Sequence, residues 1–123
     1  MIMKSQMDIR IENGTNGSNG SGIDAYRFYS DGSDDKDGTM LGYAQVMKNG
    51  ISCTLDYFQV EEGLRGQGIG RACLMQLEGR LLSEGVQVIN LTSYPWTVPF
   101  YYKYGYRLTD GRDPVEKQMA KIL

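Results

Sequence analysis

The feature that most constrains the fold of this chain is a glycine-rich loop between an apolar strand and an amphipathic helix. Residues 51–60, ISCTLDYFQV, are rich in β-forming residues, and the next ten residues contain four glycines. The apolar residues that follow recur every four positions, at Ile69, Cys73, Leu77 and Leu81, and predict a helix from about residue 67 to 84. The start of such a helix offers unpaired backbone N–H groups to an anion.

Alternating apolar residues and turn signals predict the other elements. Further strands are expected at residues 5–12, 23–30, 39–48, 86–92 and 106–109, and a second, short helix at 97–104. Gly85 and Gly105 are expected to end the two helices. Residues 115–123 suit helix or strand by propensity alone. Together these elements predict one domain, residues 1–123, of the α+β class, with a mixed, mostly antiparallel sheet around the central strand–loop–helix unit.

Composition excludes several functions. A net charge of −2 and a pI near 5.1 argue against nucleic-acid binding. Neither a membrane span nor an apolar signal core is found in the sequence, so a cytoplasmic protein is expected. Cys53 and Cys73 form no CxxC pair and are expected to be reduced thiols packed as small apolar groups.

The absence of histidine is a further constraint. It removes Ser-His-Asp and Cys-His nucleophiles and the common histidine-containing zinc motifs, and no metal site is expected. Catalysis would therefore have to use carboxylates, tyrosine, lysine, backbone dipoles or a bound cofactor.

Three phosphate-binding patterns can be compared with the glycine-rich loop. A Walker loop fails because Gly70 is followed by Arg71 and alanine, and a Rossmann fingerprint fails because Arg71 occupies its third glycine position. The R/Q-x-x-G-x-G/A pattern is satisfied by Arg65, Gly68 and Gly70. This pattern predicts a pyrophosphate-binding loop, because glycines allow close approach and the arginines add positive charge. The alternative is a connection that binds no ligand.

Two segments resemble the GNAT superfamily of acyl-CoA-dependent N-acyltransferases. FQVEEGLRGQGIGRACL is similar to the central motif of that family, and FYYKYGYRL, residues 100–108, is similar to its FYxKxGF segment. The resemblance covers roughly residues 40 to 122 and implies that KQMAKIL forms a final strand. It also implies that the fourth and fifth strands splay apart, with the pantetheine arm of acetyl-CoA between them.

The resemblance implies roles for particular residues. Tyr101 matches the family tyrosine that protonates the leaving CoA thiolate, although it could instead only pack with the neighbouring aromatic residues. The backbone near Phe58 and Val60 would pair with pantetheine, and the loop from Arg65 to Arg71 would hold the pyrophosphate. The expected cofactor-binding residues are Phe58, Val60, Arg65, Gly66, Gln67, Gly68, Ile69, Gly70 and Arg71.

The expected reaction is direct attack of a primary amine, on a small molecule or a peptide, on the acetyl thioester. An alkyl amine with a pKa of about 10.4 must first lose a proton, and a carboxylate acting through water is the natural base here. Asp56, Glu61 and Glu62 lie closest in sequence to the expected thioester, and each could instead be an ordinary solvated side chain. Asp56 shares strand parity with Phe58 and Val60 unless a bulge intervenes.

The N-terminal half departs from the family pattern. The family usually has one or two helices between its first two strands, whereas this chain has the loop NGTNGSNGSG, residues 13–22. The wall of the acceptor site would then be missing, or supplied by the second subunit of a homodimer. Tyr94 and Trp96 suit the acceptor mouth and the core equally well. The shortened half also leaves an alternative function open, a non-catalytic module that binds acyl-CoA or a protein.

Overall fold

The computed structural model describes residues 9–13, 23–30, 39–64, 68–110 and 115–123, which form a seven-stranded sheet and two α-helices. The helices are α1 (Ile69–Ser83) and α2 (Val98–Lys103), and short 3-10 turns cover Glu62–Leu64 and Pro95–Thr97. The strands are β1 (Ile9–Asn13), β2 (Ile23–Ser30), β3 (Met40–Asn49), β4 (Ser52–Val60), β5 (Val88–Ser93), β6 (Arg107–Asp110) and β7 (Lys117–Ile122).

The strands lie in the order β1-β2-β3-β4-β5-β7-β6. Neighbouring strands are antiparallel except β4 and β5, which run parallel and are connected through α1. This architecture confirms the predicted α+β class and the predicted order of elements. Residues 117–122 form a strand because they pair with β5, which decides between the two states that propensity left open.

The helix α1 covers one face of the sheet with its apolar stripe. Its residues Ile69, Cys73, Leu74, Leu77 and Leu81 are buried against alternate residues of the strands. Both cysteines are free and buried, as expected, and burial raises the pKa of Cys53 to about 11 and that of Cys73 to about 12. Both therefore remain thiols at neutral pH. The predicted helix stops are confirmed, since Gly85 and Gly105 follow the two helices with φ of 95° and 102°.

A β-bulge in β4 changes which side chains share a face. Gln45 pairs with Tyr57 but Val46 pairs with Leu55, so Asp56 is the extra residue. Leu55 before the bulge and Phe58 after it both face the core, whereas Asp56 and Tyr57 are exposed. The expected shared parity of Asp56 with Phe58 and Val60 is therefore wrong.

The second face of the sheet lies opposite the core. Both α1 and α2 contribute residues to the cluster on the core face. We call the opposite face the open face, and among its residues are Arg27, Tyr43, Gln45, Tyr57 and Gln59, which the strand register places side by side. Within the described ranges, neither helix has the length and apolar character needed to cross a bilayer.

Candidate active site

A gap opens between β4 and β5 in the middle of the sheet. The two strands pair from Ser52 and Val88 as far as Leu55 and Leu91, where the parallel register ends. β4 nevertheless continues to Val60 alongside β3. The strands therefore part after Leu55, in agreement with the separation that the resemblance implied.

The backbone of β4 presents polar groups to this gap. The Glu61 amide donates a hydrogen bond to the Leu41 carbonyl over 2.8 Å, so this pair is a hydrogen-bonded one in the register of β3 and β4. Antiparallel pairs alternate between hydrogen-bonded and non-hydrogen-bonded positions. Phe58 and Val60 occupy the non-hydrogen-bonded positions, and their amide and carbonyl groups therefore point away from β3, toward β5.

The first turn of α1 faces the same region. Gly68 precedes the helix with φ 77° and ψ 5°, a left-handed conformation that favours glycine, and no side chain of the described residues caps the first turn. No acidic residue lies in that turn either. The first N–H groups of the helix have no intrahelical partners and carry the positive end of the helix dipole, which suits an anionic ligand.

A cleft of about 660 Å³ joins the gap to the helix start. Several residues predicted from the sequence line this cleft, and they come from β4, from the start of α1 and from α2. These residues are Phe58, Val60, Gly68, Gly70, Arg71 and Tyr101. The fold thus brings together residues from three elements that are well separated along the chain.

Other predicted residues lie elsewhere. Ile69 is buried in the core, which leaves only its backbone for a ligand. Asp56 and Glu62 are exposed and do not line the cleft. Arg65, Gly66 and Gln67 lie outside the residues that the structure describes.

Tyr101 lies on α2, with its ring edge-on to the Tyr106 ring at 5.5 Å between centroids. Burial raises the pKa of its hydroxyl to about 12. No described residue hydrogen bonds to this hydroxyl. Every fully buried side-chain oxygen in the described ranges has a hydrogen-bond partner, so the Tyr101 hydroxyl is not fully buried. At neutral pH it is a protonated group that can donate to a ligand.

Tyr106 has a different environment. It is fully buried and donates a hydrogen bond to Glu78 over 2.8 Å, and Lys121 donates to the same carboxylate over 2.9 Å. Burial and the Glu78 carboxylate raise the pKa of the Tyr106 hydroxyl. Tyr106 therefore links α1 to the sheet.

Two of the cleft residues that were not predicted from the sequence shape the site, Lys103 and Phe100. Lys103, two residues after Tyr101, lines it and adds a second cation to Arg71. Phe100 places ring atoms 3.5 Å from where a Cβ on Gly70 would lie, and so packs α2 against the start of α1. Both residues belong to the FYYKYGYRL segment, and its lysine is the sequence signal that could have identified Lys103 as a cleft residue.

Comparisons with known proteins agree with this geometry. A family model described as an acetyltransferase (GNAT) domain matches residues 33–121. No curated protein sequence matches the chain.

Solved structures share the fold at low sequence identity. The N-acetyltransferase PaiA of Thermoplasma acidophilum, in complex with coenzyme A, is 19% identical with a TM-score of 0.68, and the match covers 83% of this chain and 62% of that chain. A GNAT family acetyltransferase of Elizabethkingia anophelis with acetyl-CoA bound is 14% identical with a TM-score of 0.72, covering 94% and 98%. A Bacillus subtilis acetyltransferase in complex with CoA is 13% identical with a TM-score of 0.71, covering 94% and 99%.

The family match spans most of the chain and includes β4, α1 and α2, the elements that build the cleft. The chain belongs to the GNAT acetyltransferase family.

Proposed function

We propose that this protein transfers an acetyl group from acetyl-CoA to a primary amine by direct attack within a ternary complex. The observation that carries the proposal is the parting of β4 and β5 beside the start of α1, which no described side chain caps. This arrangement offers one site for a diphosphate and a second, adjoining site for an extended amide-containing arm.

The residues of the cleft fit coenzyme A. Gly68 and Gly70 leave the helix start unobstructed, and Arg71 and Lys103 supply positive charge for phosphate groups. The backbone groups of Phe58 that point toward β5 suit the amides of pantetheine, as in strand addition. The coenzyme A and acetyl-CoA found in the related PaiA and E. anophelis structures support this assignment.

The chain provides an acid for the reaction. Acetyl-CoA supplies a thioester carbonyl open to attack and a thiolate as the leaving group. Tyr101, with a pKa raised to about 12, keeps its proton at neutral pH and donates it to the departing sulfur.

The base is a carboxylate that acts through water. Asp56 is exposed at the bulge, next to the last pair that joins β4 and β5. From there it accepts, through a water molecule, the proton that the ammonium group must lose before the neutral amine attacks the thioester. Glu62, which opens the 3-10 turn after β4, is the second candidate.

The decisive test is amine-dependent thiol release. The purified chain is mixed with acetyl-CoA and a panel of primary amines, and free CoA thiol and N-acetylated product are measured. We expect turnover that falls about a hundredfold in the Asp56→Asn variant and stays near wild type in Glu62→Gln. The reverse ranking would move the base to Glu62. CoA binding by calorimetry without turnover for any amine would instead support a non-catalytic binding module.

A further inference from the structure

We propose that the preferred acceptor is a primary amine joined through a short alkyl chain to an aromatic ring, bound on the open face between two pairs of aromatic side chains. This inference rests on the proposed transferase function and names the substrate class for it. The two pairs are Tyr43 with Tyr57 and Tyr94 with Trp96.

The first pair projects from β3 and β4. The rings of Tyr43 and Tyr57 meet edge-on, with centroids 5.8 Å apart at 65°. Gln45 donates a hydrogen bond to the Tyr43 hydroxyl over 2.8 Å, and the Tyr57 hydroxyl bonds to Gln59. Tyr57 is nevertheless 44% exposed, so an oriented aromatic surface remains open to a ligand.

The second pair follows the end of β5. Leu91 and Ser93 face the core, so the alternation of an extended chain directs Tyr94, at φ −68° and ψ 155°, toward the open face. The rings of Tyr94 and Trp96 stack with centroids 4.8 Å apart and 3° between their planes. Tyr94 is 52% and Trp96 73% exposed. Two large rings are thus held together in solvent rather than in the core.

The two pairs flank the gap between β4 and β5. Leu55 and Leu91 are the last residues of β4 and β5 that pair with each other. Tyr57 lies two residues after Leu55, and Tyr94 lies three residues after Leu91. At roughly 3.3 Å per residue, each pair begins within about 10 Å of that point. A ligand that enters the gap from the open face therefore meets aromatic surface on both sides.

A carboxylate stands beside the first pair. Asp56 is the bulged residue that directly precedes Tyr57, and it is exposed as well. It can bind an ammonium group, which aromatic faces also favour. An arylalkylamine can pair its ammonium group with the carboxylate and stack its ring on the aromatic side chains. A simple alkylamine has no ring to stack, and a saturated ring lacks a π-face for stacking.

The single tryptophan of the chain makes this site directly observable, because the intrinsic tryptophan fluorescence reports on Trp96 alone. With CoA present, phenethylamine and cyclohexylethylamine are titrated against this signal. These two ligands match in chain length and charge. We expect saturable binding of both, with phenethylamine about fivefold tighter. Equal affinities, or no saturable change with phenethylamine, would overturn the inference.

Variants then localise the preference. In the thiol-release assay, Trp96→Leu and Tyr57→Leu should each reduce the kcat/KM ratio of phenethylamine to propylamine by about fivefold. Tyr29→Leu is the matched control, because Tyr29 stacks under Arg10 on the same face but on β2, away from the gap. A ratio that is unchanged in both Trp96→Leu and Tyr57→Leu would refute the proposed site. Fluorescence selectivity without thiol release for any amine would support the amine site and refute the transferase function.

Discussion

Leu55 on β4 pairs with Leu91 on β5, and the parallel register between the two strands ends with this pair. The next residue of β4, Asp56, is the bulged one. A bulge bends its strand and increases the local twist, so the bend occurs where the strands separate. One extra residue therefore accompanies the opening of the gap and also places Asp56 and Tyr57 on the open face.

The backbone alternation along β4 predicts a pattern of hydrogen exchange. Without ligand, the Phe58 amide should exchange faster than the Gln59 amide, because Gln59 lies opposite Tyr43 at a hydrogen-bonded position. Adding CoA should slow exchange at Phe58 by about tenfold and leave Gln59 nearly unchanged. NMR-detected exchange measures both amides. Equal rates without ligand, or no protection at Phe58 with CoA, would contradict the proposed pantetheine position.

The start of α1 predicts a charge effect on CoA binding. The substitution Gly68→Glu places a carboxylate where the diphosphate is proposed to bind, and should weaken CoA binding by at least about tenfold, comparable to losing one charged hydrogen bond. Gly68→Ala is the control, because both variants share the strain of φ 77° and a Cβ at this position meets no atom of the described residues within 4 Å. Calorimetry measures both affinities. Similar affinity in the two variants would place the diphosphate elsewhere.

Lys103 should contribute to CoA affinity through its charge. We expect Lys103→Met to weaken binding by about tenfold and to reduce its dependence on salt, because one cation of the cleft is lost. Lys103→Arg keeps the charge and should remain within about threefold of wild type. Titrations at low and high salt measure this. Equal losses in the two variants would indicate that the lysine acts by packing.

Tyr101 should affect turnover rather than binding or stability. Replacing it with phenylalanine keeps the contacts of the ring with Tyr106 and removes only the proton donor. We expect kcat to fall by about a hundredfold or more while the dissociation constant of CoA and the free energy of unfolding stay nearly unchanged. Steady-state kinetics measure kcat, calorimetry measures the dissociation constant of CoA, and urea unfolding measures the free energy of unfolding. Unchanged kcat would reduce Tyr101 to a packing role.

A pKa effect on stability is expected at the far end of α1. Burial by itself would raise the pKa of Glu84, but hydrogen bonds from Lys48, Tyr26 and Arg80 outweigh it and hold the pKa below its usual 4.5. The Tyr26 hydroxyl donates over 2.8 Å and the Arg80 Nε over 2.9 Å. Glu84 therefore contributes stability above about pH 4.5, and this contribution is lost as the pH falls through the lowered pKa.

The corresponding test compares wild type with Glu84→Gln. Near pH 7 the substitution should reduce the free energy of unfolding by about 1–3 kcal/mol, and the difference should shrink at acid pH, where the wild-type carboxyl is also neutral. Urea unfolding at several pH values measures the difference. A loss of equal size at every pH would assign the effect to packing instead of charge.

The sequence by itself determined the elements and the class of fold. The four-residue repeat of Ile69, Cys73, Leu77 and Leu81 defines the buried stripe of α1, because residues one turn apart share a helix face. The glycines of the loop and the segment FYYKYGYRL gave Gly68, Gly70 and Tyr101, which line one cleft in the structure. These signals are local, since each depends on residues a few positions apart.

Only the tertiary structure decided the bulge at Asp56, the position of Lys103 in the cleft and the aromatic pairs on either side of the gap. Simple alternation along a strand has a period of two residues and would place Asp56 on the face of Phe58 unless a bulge intervened. The actual face depends on how β4 pairs with β3, which reverses the parity at one residue. Such pairings join segments distant along the chain, and the side chains that meet across them are set by strand register and packing, which no local pattern encodes.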